Sequence, residues 1–236
     1  MLRAMSSAIR VATFDCYGTL VDWEGGLGTF LYEKALVSRA KRLEPGSALR
    51  ERWETIQFEL IQGEYRPYKD ILAESLRAFC EERGWAYDDS DGKALLRAMR
   101  SWQPFPDARP ALERARAAGL RLVIVSNTDN DILDHSLRQL DVPFDDTITA
   151  EDCLAYKPSD AVFARALERI GEPPESVLHV AFGFKYDIGP AGRAGMKTAW
   201  VNRHAEPAPG TEPFDHEWRD LWGLAELAEG LAATPG

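Results

Sequence analysis

Five short runs of β-branched and aromatic residues punctuate the chain: VATFD (11–15), RLVIVS (121–126), TITA (147–150), VLHVA (177–181) and KTAWVN (197–202). From the second run onward they alternate with stretches of helical period, DNDILDHSLRQL from Asp129, SDAVFARALERI from Ser159 and DIGPAGRAG from Asp187. Strands alternating with helices predict an α/β fold built on a parallel sheet. Ser159 is placed to cap its helix through its hydroxyl, and Pro190 fits only the first turn of the helix it enters.

The spacing of the first two runs breaks this rhythm. About a hundred residues separate them, where a plain crossover needs about a dozen. The intervening sequence is helical in pieces, GTFLYEKALVSRAKRL, ALRERWETIQFELIQG, YKDILAESLRAFCEERG and GKALLRAM, with no strand pattern. EGGLGTF, before the first piece, predicts a turn, since no Lys-Ser or Lys-Thr follows its glycines as in a phosphate-cradling loop. QPFPDARP predicts the return hinge, and ARPALERARAAG a helix leading back to the sheet. The division expected is a core domain of residues 1–22 and 104–236 and a helical domain of residues 23–103, with a loop over Glu206–Pro213.

Composition narrows the class. With 236 residues and 45% hydrophobic content the chain buries a sizeable core. Its 28 basic and 38 acidic residues, net −10, offer no basic field to nucleic acid or an anionic membrane, and no run has the roughly 20 apolar residues of a membrane helix. Three scattered cysteines, Cys16, Cys80 and Cys153, suit a reducing compartment. MLRAMSSAIR lacks the apolar stretch of a signal peptide, so the expected location is the cytoplasm.

Ligands of open α/β sheets bind at the carboxyl ends of the strands. Asp15, Ser126 and Asp187 stand at or just beyond such ends, and Lys157, in AYKPSD, opens a helix after the short third run. Topology gathers these four polar residues into one crevice.

The motifs FDCYGTLVD with Asp15, VSNTD with Ser126 and Asn127, YKP with Lys157 and FKYDIGPAGRAGMKTAWVNR with Asp187, in this order over nearly the whole chain, resemble the haloacid dehalogenase-like hydrolase superfamily. FDCYGTL and KTAWVNR are most similar to its L-2-haloacid dehalogenase branch. The resemblance implies a Rossmann-like, doubly wound parallel sheet with the helical insertion as an α-helical cap domain. It further implies a small anionic substrate, a 2-haloalkanoic acid, no metal or other cofactor, and a possible homodimer. Phosphatases of the superfamily carry a second aspartate two residues after the nucleophile, where this chain has Tyr17. A departing halide needs no proton, so carbon–halogen displacement has no use for that acid.

The mechanism so implied is two-step nucleophilic catalysis. Asp15 attacks carbon with inversion, and water then releases the hydroxy acid from the aspartyl ester. Lys157 keeps Asp15 ionised, Asp187 holds Lys157 or positions the water, and Ser126 and Asn127 orient the substrate. Thr19 hydrogen-bonds the nucleophile loop, while Tyr17, Phe182 and Phe184 contribute to substrate binding. Two features depart from the branch. Glu54 stands where a halide-binding cap arginine is sought, with Arg50, Arg52 and Arg66 as substitutes, and Phe182, Gly183 and Phe184 replace residues that position water. The open alternatives are a Mg²⁺-dependent phosphatase, a hydrolase of another 2-substituted acid, and a silent binding protein. Cys16 and the histidines His135, His179, His204 and His216 read as packed or surface residues. Trp53, Phe58 and Tyr65 read as cap core, with Tyr68 or Trp23 as candidates for the cleft wall.

Overall fold

The computed structural model describes residues 9–233; MLRAMSSA, expected to hold no leader, and residues 234–236 lie outside the described residues. Six strands, β1 (Val11–Phe14), β2 (Arg121–Ser126), β3 (Asp146–Thr149), β4 (Val177–Ala181), β5 (Lys197–Val201) and β6 (His216–Trp218), form one sheet in the order β3-β2-β1-β4-β5-β6. Every pairing is parallel, with Val11 of β1 opposite Arg121 on one side and Val177 on the other. All four residues of β1 are buried, as expected where helices cover both faces of a parallel sheet.

Strand alternation sorts the core into two layers. Ala12, Phe14, Leu122 and Ile124 pack on the face covered by α5 (Ala108–Ala117), α6 (Asn130–Leu140) and α10 (Trp222–Ala232). Val11, Val123 and Val125 pack on the other, against Val162, Phe163, Ala166 and Ile170 of α8 (Asp160–Ile170) and Ala191 of α9 (Gly189–Arg193). Truncating Phe163, which is fully buried, to alanine costs about 3–5 kcal/mol.

Between β1 and α5 lie α1 (Trp23–Val37), α2 (Gly46–Ile61), α3 (Tyr68–Arg83) and α4 (Asp89–Met99). Leu27, Leu31, Leu49, Trp53, Ile71, Leu76, Phe79 and Leu95 close their interior, which is continuous with the Ala12 layer of the sheet. The two crossings to the sheet run side by side: Asp22 N–H donates to Gln103 O at 2.9 Å, and Phe105 N–H to Leu20 O at 2.9 Å. No helix among the described residues is long and apolar enough to cross a membrane.

Four local expectations need correction. EGGLGTF is not a turn but the start of α1, which Asp22 caps by accepting the Gly25 N–H at 2.9 Å. The third strand ends at Thr149, because Ala150 opens α7 (Ala150–Cys153) under a capping box of Thr149 and Asp152. DIGPAGRAG is helical only from Gly189; Asp187 sits in a preceding π-helical turn, Phe184–Ile188. β6 and α10, near the C-terminus, were not anticipated, whereas Glu206–Pro213 is the expected loop.

Candidate active site

Asp15 follows the last residue of the central strand β1. The chain then doubles back, with Leu20 and Val21 N–H both bonded to Cys16 O. Gly18 makes this possible at φ +99, where a Cβ would stand 2.6 Å from Trp23 and 2.8 Å from Phe182. The turn returns Thr19, whose hydroxyl donates to Asp15 Oδ2 at 2.9 Å and accepts the Phe182 N–H at 2.9 Å. The other carboxylate oxygen, Oδ1, accepts from Lys157 Nζ at 2.8 Å.

Lys157, on the loop between α7 and α8, is 1% exposed. Besides Asp15 its ammonium reaches Asp187 Oδ1 at 2.6 Å and Val125 O at 2.9 Å, so three acceptors match its three protons. Asp187 Oδ1 also lies 3.0 Å from His179 Nε2, and His179 Nδ1 lies 2.8 Å from Thr13 Oγ1. Thr13 and His179 are register partners in β1 and β4, which places both on one face. Gly183 is required beneath this network, since a Cβ there would fall 2.6 Å from Asp187 Oδ2.

The two carboxylates differ in character. Burial pushes the Asp15 carboxyl up, Lys157 pulls it down and Asp187 pushes it up again, leaving it above the usual aspartate range. For Asp187 burial also acts upward, but Lys157 and the His179 hydrogen bond outweigh it and hold it below that range. Burial disfavours the Lys157 ammonium, yet Asp15 and Asp187 more than compensate and raise it. Asp187 is thus the fixed counter-ion of Lys157, and Asp15 the more loosely held base.

Above this floor opens a cleft of about 690 Å³ lined by Asp15, Ser126, Asn127, Lys157 and Asp187, with Tyr17, Phe182 and Phe184 among its aromatic walls. Of the site residues expected from the sequence, all but Thr19 line this one space. Ser126 Oγ is buried and has no hydrogen-bond partner among the described residues, which suits a ligand contact. The Asn127 side chain accepts the Lys157 N–H at 2.7 Å and donates to Lys157 O at 3.0 Å, so it also fixes the lysine loop. Tyr17 pairs its hydroxyl with Ser136 Oγ at 3.0 Å and sets its ring edge-on to Trp102. Phe184 packs mainly on Trp200 and Phe214.

The helical wall brings Trp53, Glu54, Gln57, Phe58 and Tyr68 to the cleft, with Trp23 beside them. Burial raises the Glu54 carboxyl, and Arg50 opposes that. Arg50, Arg52 and Arg66 do not line the cleft; they pair with Glu24, Glu82 and Glu74 at 2.6, 2.5 and 2.5 Å. Sequence reading missed His179 and Thr13 as supports of Asp187. The available signal was a pair of polar residues inside otherwise apolar strands.

A buried aspartate at the end of a central parallel strand, bonded to a buried lysine and open to a cleft, is the arrangement of an α/β enzyme site. The family model described as haloacid dehalogenase-like hydrolase matches residues 9–195, and the chain belongs to that family. Over 226 residues, 94% of this chain and 96% of the relative, it is 30% identical to (S)-2-haloacid dehalogenase 1 of Pseudomonas sp. (strain CBS-3). An (S)-2-haloacid dehalogenase of Pseudomonas putida is 28% identical over 204 residues, 83% of this chain and 85% of the relative. Among solved structures, the L-2-haloacid dehalogenase from Xanthobacter autotrophicus superposes with a TM-score of 0.79 at 25% identity, covering 94% of this chain and 99% of that one.

Proposed function

We propose that the protein hydrolyses the carbon–halogen bond of a small 2-haloalkanoic acid through an ester on Asp15, without a metal. The observation that carries this is the Asp15 carboxylate, held by Lys157 at 2.8 Å and Thr19 at 2.9 Å at the floor of the cleft. Each oxygen accepts one of these bonds, leaving lone pairs for attack. One oxygen displaces halide from the substrate carbon with inversion, and the carbon–halogen electron pair leaves with the halide. Water then adds to the carboxyl carbon of Asp15, the hydroxy acid departs, and the carboxylate is restored with release of a proton.

Lys157 compensates the charge of the resting carboxylate, and Asp187, fixed by His179, keeps Lys157 in place. The unpartnered Ser126 hydroxyl serves the substrate carboxylate. Tyr17 supports displacement at carbon over phosphoryl transfer, because it supplies no carboxylate and its hydroxyl is engaged by Ser136. Helices α1–α4 act as a cap domain over residues 23–103, with residues 1–22 and 104–236 as the core. We place the protein in the cytoplasm, in keeping with its free thiols, and as a homodimer, for which the exposed Leu36, Val37 and Leu43 offer an apolar surface.

The test is halide release from each enantiomer of 2-chloropropionate with chelator present, beside hydrolysis of an aryl phosphate with Mg²⁺. Metal-independent halide release, lost in Asp15→Asn, is expected. Phosphate release that requires Mg²⁺, without halide release, would overturn the assignment.

A further inference from the structure

Displacement drives the leaving group away from the nucleophile, along the line from Asp15 through the reacting carbon. Asp15 lies on the sheet side of the cleft, so the halide develops its charge against the helical wall of α2 and α3. That wall presents Glu54 where an arginine was sought; Arg50 is held between Glu24 at 2.6 Å and Glu54 at 3.7 Å, Arg52 and Arg66 pair with Glu82 and Glu74, and none of the three lines the cleft. A halide among aromatic walls still requires a hydrogen-bond donor, since an unsolvated anion in such a space is costly.

Tyr68 meets that requirement. It is the first residue of α3, 8% exposed, and lines the cleft. Its hydroxyl oxygen accepts from Gln57 Nε2 at 2.5 Å, so its own proton is free, and no acceptor among the described residues is paired with it. The residue is fixed from below as well. Its backbone N–H donates to Asp129 Oδ1 at 2.7 Å and that of Lys69 to Asp129 Oδ2 at 3.0 Å. The buried Asp129, on the loop after β2, thereby caps a helix whose own N-cap, Pro67, contributes no side-chain bond. Burial raises the phenol well above its ordinary range, so it remains protonated.

We propose that the Tyr68 O–H, oriented by Gln57, is the donor that receives the departing halide in place of a cap arginine. This rests on the carbon–halogen chemistry proposed above. The phenol proton stays on its oxygen throughout; it hydrogen-bonds the halide as the carbon–halogen bond breaks and the ester carbon–oxygen bond forms. Such a donor contributes most to the anion of most concentrated charge, so its contribution rises from iodide through bromide to chloride.

Pre-steady-state halide release by Tyr68→Phe on 2-iodo-, 2-bromo- and 2-chloropropionate tests the assignment, with thermal unfolding as the control for folding. The expected result is a fall in the ester-forming rate of roughly 10- to 100-fold for chloride, smaller for bromide and smallest for iodide, with ester hydrolysis unchanged. Gln57→Leu, which leaves the phenol in place but unguided, shows the same order with a smaller loss. Equal losses for all three halides, or a rise in KM alone, would overturn the role of Tyr68. A wild-type protein that releases no halide from any of the three would instead overturn the carbon–halogen chemistry, and this proposal with it.

Discussion

The floor of the cleft and its helical wall are built on opposite plans. On the floor the polar groups interlock: Lys157 bridges Asp15 and Asp187, Asp187 is hydrogen-bonded to His179, and His179 to Thr13. The wall is matched more loosely: the half-buried Glu54 faces the cleft and meets Arg50 only at 3.7 Å, while Arg50 is held closer by Glu24 at 2.6 Å and Arg52 and Arg66 pair with Glu82 and Glu74. A floor so closed holds the Asp15 carboxylate in one geometry, whereas the wall, aromatic side chains interleaved with carboxylates and Gln57, shapes the space above it. On the proposed reading the nucleophile is set by the floor, and the response to the leaving group by the wall.

The largest effect that tests this division is at Asp15. Asp15→Asn removes the proposed nucleophile and is expected to lower turnover by about 10⁴-fold or more, measured as halide release, with Tm little changed. Lys157→Met comes next. It leaves Asp15 and Asp187 facing each other in a buried site, and removal of one partner of a buried ion pair costs about 3–5 kcal/mol. Both a loss of activity and a clear drop in Tm are expected, in contrast to Asp15→Asn.

A pH profile sharpens the point further. Asp15 must be ionised to attack, and its carboxyl lies above the usual aspartate range. Activity is present above that pKa and lost as pH falls through it, so the acid limb of kcat/KM lies above about 3.9, the ordinary aspartate value. In Lys157→Met the downward pull is gone, and any residual activity shows this limb at higher pH.

The smallest effect concerns the outer wall, where Glu51, Glu54, Glu59 and Glu206 line the cleft against Lys185 and His204. This acidic rim repels an anionic substrate. Salt screens that repulsion, so kcat/KM should rise modestly, about two- to threefold, between low and physiological ionic strength. A fall with salt would mean that attraction governs entry.

The floor was legible in the sequence because strand ends and their loops place side chains by topology. Asp15, Ser126, Lys157 and Asp187 all line the cleft, as their positions beside apolar runs indicated. The wall was less legible, since a helical pattern says which face is apolar but not what that face meets. Tyr68 could be seen as a candidate for the cleft, while its pinning by Asp129 depends on a contact across 61 positions of sequence. Local chemistry misled in places: the glycines of EGGLGTF suggested a turn, yet Asp22 caps them into α1. β6, three residues long with an exposed centre, has no apolar run to announce it, and it forms only because β5 offers an edge.

The ester on Asp15 is the central claim, and a single turnover in H₂¹⁸O with enzyme in excess over 2-chloropropionate tests it most directly. If water attacks the carboxyl carbon of Asp15, the hydroxy acid carries unlabelled oxygen from the carboxylate and the peptide containing Asp15 gains ¹⁸O. A labelled hydroxy acid with an unlabelled Asp15 peptide would mean that water attacks the substrate carbon itself, and would contradict the account.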